Sequence, residues 1–359
     1  MKPLNLLSRM RPGTEGLGCE QVVALSDPTI GLAGFVVIDN TTRGPATGGI
    51  RFFAYRSEAD ALEDGFRLAR AMTLKNAAAE LPAGGGKIVL IEQASSDKAQ
   101  VMGAVGRVLQ SLGGRFLAGR DVGIDLDSAR LIRAETDYMV DESDEGLGDL
   151  NRHTALGVLE GAAAARDHAG IGPDWRGVRV AIQGVGGVGS WLAVELVSRG
   201  AHLILADTRA DRLQALRATL DFESVSAEEV LFTECDVLAP CAVGGVIRQE
   251  TVERLRARAV AGSANNILAD PRAGELLFER GIVYAPDFLI NAGAVIAGTH
   301  FLRYRERRDE IAATAIGSRT RGLLDRAQRQ NTPPEQLLAR EALDRLKGDP
   351  GFRQWFWPG

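Results

Sequence analysis

Lysine is scarce in this sequence. Of 359 residues 42 are basic, yet only Lys2, Lys75, Lys87, Lys98 and Lys347 are lysines, and the other 37 are arginines. Sulfur and imidazole are scarcer still. Cys19, Cys235 and Cys241 are odd in number and lack CxxC spacing, which argues against a disulfide framework. His153, His168, His202 and His300 are scattered without metal-ligand spacing, so no metal site is expected. The formal net charge is only -5, and no block of like charge is long enough to act as a nucleic-acid tail. No stretch approaches the roughly 18 unbroken apolar residues of a membrane span. The apolar patch in "MKPLNLLSRMRPG" is also too brief for a signal-peptide core. These absences predict a cytoplasmic protein with a small-molecule partner, and neither nucleic acid nor membrane.

What is present is enough chain for two cores, since a single core stops growing at about 250 to 300 residues. From Gln21, short β-branched runs ("QVVAL", "GFVVID", "KIVLI") alternate with helical stretches ("SEADALEDGFRLARAMTLKNAAA", "DKAQVMGAVGRVLQSL"), which reads as α/β. The acidic, glycine-containing "DESDEGLGDLNR" interrupts the pattern. Beyond it "VRVAIQG", "AHLILAD", "CDVLAPCA", "AVAGSAN" and "IVYAPD" are five strand candidates of a doubly wound parallel sheet. After His300 the chain turns arginine-rich and helical, with a break at Pro333-Pro334. The expected division is a first domain at 1–140, a second at 141–299, and C-terminal helices at 300–359 packing back on the first.

Two of the five lysines lie twelve residues apart in "MTLKNAAAELPAGGGK", among small and apolar residues. Burial or a neighbouring charge can bring an ammonium toward neutrality, whereas a guanidinium stays charged, so Lys75 and Lys87 point to chemistry. The triple glycine Gly84-Gly85-Gly86 removes side chains where substrate and backbone must approach.

A second signal lies in "VRVAIQGVGGVGSWLAVELVSRGAHLILAD". Gly184, Gly186 and Gly189 have G-x-G-x-x-G spacing directly after a strand and before an apolar helix, the arrangement that seats a pyrophosphate on a helix N-terminus. Asp207 closes the next strand, 18 residues after Gly189, where a carboxylate accepts hydrogen bonds from ribose hydroxyls and disfavours a 2′-phosphate. NAD is therefore expected over NADP, with Arg209 and Arg212 as the nearby counter-signal.

From about Glu20 to Tyr304 the chain resembles the glutamate, leucine, phenylalanine and valine dehydrogenases, nearest the leucine and phenylalanine branch. The resemblance rests on "GPATGGIR", "ALEDGFRLARAMTLKNAAAELPAGGGK", "GRDVG", "HTALGV", "QGVGGVG", "CDVLAPCAVGGVI", "AGSANN" and "APDFLINAGAVI". It implies an N-terminal α/β substrate domain, a Rossmann NAD domain and C-terminal helices closing the cleft. It further implies that Lys75 holds the substrate carboxylate beside Gly48 and Gly49, that Lys87 activates water, and that Asp121 passes a proton to and from the amine nitrogen. Asn291 is implied to bond the substrate, while Thr154 and Asn265 meet the nicotinamide end. Gly187, Val188, Thr208, Cys241 and Ala242 complete the cofactor set. Taken singly, Asp121 also suits a turn, Thr154 a helix N-cap, and Asn291 and Asn265 loop or strand ends.

The side-chain positions implied for the substrate pocket are Thr47, Gly119, Val295 and Gly298, three of them smaller than in the leucine enzymes. The expected activity is therefore NAD-dependent oxidative deamination of an L-amino acid, with an aromatic side chain favoured. Departures from the family pattern at Ile124, Leu150-Asn151-Arg152-His153, Ile267 and Ala294 leave open a secondary-metabolism enzyme acting on an aromatic precursor. A non-catalytic NAD-binding homologue is the other alternative. A homo-oligomer, dimer or larger, is expected, and the terminal "GFRQWFWPG" offers aromatics either for an interface or for docking on its own helices.

Overall fold

The computed structural model describes Met10 and residues 19–308 and 310–347, so "GFRQWFWPG" lies outside the described residues. The chain divides into two compact units. Of the described residues, the first takes those up to 148, 298–307 and 341–347; the second takes those in 149–297 and 308–340.

In the first unit a five-stranded sheet has the order β1-β2-β4-β3-β5. β1 (Gln21–Asp27) runs antiparallel to β2 (Leu32–Asn40), and β2 antiparallel to β4 (Gly84–Ile91). β3 (Ala46–Phe53) lies parallel between β4 and β5 (Phe116–Arg120). Strand parity sorts the side chains. Val36, Ile38, Ile50, Phe52, Ile88 and Leu90 meet Met102, Val105 and Leu109 of the helix Lys98–Ser111 in one apolar core. The opposite face carries Thr47, Gly49 and Arg51 of β3 and Gly85, Lys87 and Val89 of β4, and it is covered by the helix Glu58–Ala78. Ser57 caps that helix by accepting from the Asp60 N–H at 3.1 Å.

The triple glycine has a packing reason as well. A Cβ on Gly85 would collide with the backbone nitrogen of Thr73, one on Gly84 with the Asn40 carbonyl, and one on Gly86 would stand 2.5 Å from the Phe116 ring. Gly85 lets the covering helix come down onto β4; the glycines serve protein contacts directly.

The second unit holds six parallel strands in the order β11-β10-β9-β6-β7-β8. They are β6 (Arg179–Gln183), β7 (His202–Ala206), β8 (Glu223–Ser224), β9 (Val237–Pro240), β10 (Ala259–Val260) and β11 (Val283–Tyr284). This is the doubly wound Rossmann order, with its switch point between β6 and β9. The strand expectations for this unit hold, and β8 is added. β3, seen in the sequence only as a motif, is a strand because β4 and β5 pair it on both sides despite its glycine content, while β5, at the sheet edge, is paired by β3 and joined to Met139 by a single bridge at Ala118.

The first division falls at Gly148/Asp149, where Asp149 caps the helix Leu150–His168 through the Asn151 N–H at 2.9 Å. The C-terminal helices are shared between the two units. The helix Ile311–Arg329 lies along Leu150–His168, where a Cβ on Gly157 would come within 2.6 Å of Ile316 Cδ1, so glycine permits the close crossing. Among the described residues no helix is long and apolar enough to cross a membrane, and no cluster of potential metal ligands occurs.

Candidate active site

Lys87 enters the polar face of the first unit from β4 and is only 6% exposed. Its Nζ lies 2.6 Å from Oδ2 of Asp121, just beyond the end of β5. Burial pushes the Lys87 ammonium below its ordinary pKa against the opposing pull of Asp121, and Arg51 pushes in the same direction as burial. Burial alone would raise the Asp121 carboxyl, but Lys87 and Arg51 outweigh it and hold the group below its ordinary value. Asp121 also opens a turn: its carbonyl accepts from the Ile124 N–H at 3.1 Å, with Gly123 at φ +81. The turn role and the charged role coexist.

Lys75 sits half-buried in the last turn of Glu58–Ala78. The next residue, Asn76, is fully buried and donates to Thr47 Oγ1 at 2.7 Å and to the Gly84 carbonyl at 2.5 Å, tying helix, β3 and β4 together. A side chain on Gly48 would strike the Gly86 carbonyl; one on Gly49 would stand 2.8 Å from Asp121 Cβ and 3.0 Å from Lys87 Nζ. Gly119 opens onto free space, with nothing within 4 Å of a Cβ built there. Gly298 does not, since Val140 Cγ2 would be 3.0 Å away.

Three residues given no role from the sequence complete this face. Arg51 donates through Nε to Asp121 Oδ2 at 2.8 Å and through Nη1 to Asp64 Oδ2 at 2.9 Å. The Tyr55 hydroxyl donates to the same Asp64 oxygen at 2.7 Å. The available signal was strand period, since Arg51 stands two residues after Gly49 and therefore on the same face.

In the second unit Gly184 turns at φ +90, and a Cβ there would lie 2.6 Å from that of Ala242, across the switch point beside Cys241. Gly186 begins the helix Gly187–Ser198 without a side-chain cap, and a Cβ on Gly189 would strike the Gly184 carbonyl. Val188 is half-buried in this turn, and Thr208 is exposed beyond β7. Asp207 accepts from the Val185 N–H at 2.9 Å, from the Arg209 N–H at 2.9 Å and from Arg212 at 3.3 Å. The carboxylate thus braces the glycine turn itself. Asn151, also unassigned from sequence, lays its amide against Gly187, 2.8 Å from where a Cβ would be.

Thr154 lies inside its helix, donating to the Leu150 carbonyl at 3.1 Å; Asp149 is the N-cap instead. Asn291 donates to the Ser263 carbonyl at 3.2 Å and to Asn265 Oδ1 at 3.0 Å, while its own Oδ1 is buried without a hydrogen-bond partner. Val295 is half-buried in the helix Gly293–Tyr304. Ile267, one of the departures, is wholly buried in the apolar core of this unit.

The family model described as Glu/Leu/Phe/Val dehydrogenase, dimerisation domain, matches residues 20–143, and that described as Glutamate/Leucine/Phenylalanine/Valine dehydrogenase matches residues 202–300. Leucine dehydrogenase of Geobacillus stearothermophilus is 40% identical over 332 residues, covering 91% of this chain and 90% of that protein. The chain belongs to this dehydrogenase family. Phenylalanine dehydrogenase of Bacillus thermotolerans is 41% identical over 304 residues, 82% of this chain and 80% of that one. The crystal structure of L-tryptophan dehydrogenase from Nostoc punctiforme superposes with a TM-score of 0.78 at 32% identity, covering 92% of this chain and 96% of that chain.

This member of the family is an NAD-dependent L-amino acid dehydrogenase. The second unit fits the cofactor: the turn has no room for a side chain at Gly184 or Gly189, its helix start at Gly186 is uncapped, and Asn291 offers an unused buried acceptor. When bound, NAD supplies the hydride acceptor.

Proposed function

We propose that the protein oxidatively deaminates an aromatic L-amino acid (phenylalanine, tryptophan or tyrosine) to its 2-oxo acid and ammonia, and runs the reverse, as a cytoplasmic homo-oligomer. Lys75 anchors the substrate carboxylate beside Gly48 and Gly49. Departure of the Cα hydride leaves a carbon–nitrogen double bond. Lys87, lowered toward neutrality by its burial, takes a proton from the water whose oxygen bonds to Cα. Asp121 carries the proton that leaves with the nitrogen as the C–N bond breaks. Asn291 Oδ1 is an acceptor for the substrate or the cofactor amide.

The observation that carries the aromatic reading is Gly119, where nothing lies within 4 Å of a Cβ, so a larger substrate side chain is not excluded by this strand. An aliphatic reading draws on Val140, which already occupies the space in front of Gly298. Initial rates of NADH formation with phenylalanine, tryptophan, tyrosine, leucine and valine decide between them. A higher kcat/KM for an aromatic substrate is expected; a clear preference for leucine or valine overturns the aromatic assignment.

A further inference from the structure

We propose that Arg51, Asp64 and Tyr55 form a positioning set that clamps Asp121 by one carboxylate oxygen, holding it against Lys87 and keeping its other oxygen for the reacting nitrogen. The inference rests on the assignment of Lys87 and Asp121 as the catalytic pair. Both cations that touch Asp121 sit on Oδ2, Lys87 at 2.6 Å and Arg51 at 2.8 Å, and neither takes Oδ1. Arg51 suits this task because its planar guanidinium points Nε at one carboxylate and Nη1 at another in a fixed angle, which a lysine ammonium does not reproduce.

The far carboxylate is itself immobilised. Asp64 receives Arg51 and the Tyr55 hydroxyl on Oδ2 and Arg67, at 2.6 Å, on Oδ1, and its side chain is 17% exposed. A chain of contacts therefore runs from the helix Glu58–Ala78 through β3 to the end of β5 and back to β4. Such a brace matters because a misplacement of about 1 Å at reacting groups costs on the order of 10²-fold in rate.

The same set controls charge around Lys87. The groups acting on it are Asp121 from the end of β5, Arg51 from β3 and Asp64 from the covering helix. Asp39 of β2 is paired with Arg70 of that helix at 3.1 Å. Arg51 disfavours the Lys87 ammonium and Asp64 favours it. Lys87 must lose its proton to act as a base, so the rate rises with pH through its titration. Removing the positive charge at Arg51 moves that rising limb to higher pH; removing the negative charge at Asp64 moves it to lower pH.

The test is kcat/KM against pH for Arg51→Gln, Arg51→Lys, Asp64→Asn and Tyr55→Phe, using whichever of phenylalanine and leucine the wild type turns over faster, with Tm as a check on folding. Opposite shifts of up to about one pH unit are expected for Arg51→Gln and Asp64→Asn. Arg51→Lys, which keeps charge but loses the fork, and Tyr55→Phe, which changes no charge, should lower kcat and leave the limb in place. Limbs that stay put or move together in folded Arg51→Gln and Asp64→Asn overturn the proposal. A Lys87→Ala variant run beside them separates the two levels: near-wild-type turnover there defeats the underlying assignment, whereas its loss with unmoved limbs in the others defeats only the positioning set.

Discussion

Gly49 faces Lys87 across neighbouring strands so closely that a Cβ on the glycine would stand 3.0 Å from Nζ and 2.8 Å from Asp121 Cβ. The flexible lysine end can yield, but Asp121 is held by its turn and by Arg51. Gly49→Ala is therefore expected to separate the pair and reduce kcat by about tenfold or more, within the range that small displacements cost. NADH affinity, read by fluorescence titration, should not change. An unaltered kcat would mean that the pair tolerates the shift.

Removal of the lysine itself should be more severe. Lys87→Ala is expected to lose roughly 10² to 10⁴ in kcat, the worth of a general base, while NADH still binds. Retained turnover would show that the proton goes elsewhere.

The cofactor end gives a two-part prediction, because Asp207 both braces Val185 and presents negative charge. Asp207→Asn keeps an acceptor oxygen but loses the charge, so it should narrow the preference for NAD over NADP with little loss of NADH affinity. Asp207→Ala should do both. Kd values for NADH and NADPH in the two variants check this; an unchanged preference in Asp207→Asn would place the discrimination on another residue.

Gly119 is the sharper of two probes of substrate size. With free space around it, Gly119→Ala should leave Tm unchanged and lower the ratio of aromatic to aliphatic kcat/KM, by an amount on the scale of about 1 to 3 kcal/mol per misplaced methyl. Gly298→Val should instead lower Tm, since even its Cβ crowds Val140. A ratio that does not move in Gly119→Ala would remove the basis for the aromatic assignment.

Glu335, in the second unit, provides a pH test of stability. Both of its carboxylate oxygens are buried without a hydrogen-bond partner, and burial raises its pKa from an ordinary 4.5 to about 7. The folded state holds this proton more tightly than the unfolded chain, so stability declines as pH rises from about 4.5 to about 7 and the penalty is complete above that. Glu335→Gln should accordingly raise Tm more at about pH 8 than at about pH 5. Equal effects at the two values would show that the carboxyl is not titrating in that window.

The lysine pair, the glycine turn with its carboxylate, and most strands and helices could be read from the chain because each is a local pattern: a scarce residue type in an apolar run, a fixed glycine spacing, a period of two or 3.6. What tertiary structure decided was which distant residues meet. Arg51 reaches Asp64 and Asp121 only because β3 lies between β4 and β5 with the helix Glu58–Ala78 over one face, and register rather than spacing sets that. β3 and β5 carry glycine where local propensity asks for β-branched residues, and pairing overrides it, on both sides for β3 and against β3 for the edge strand β5. The same physics explains the C-terminal helices. Their amphipathic pattern announces a face to be buried, but the close approach of Gly157 to Ile316 selects the partner, and glycine's role there exists only once the two helices are packed.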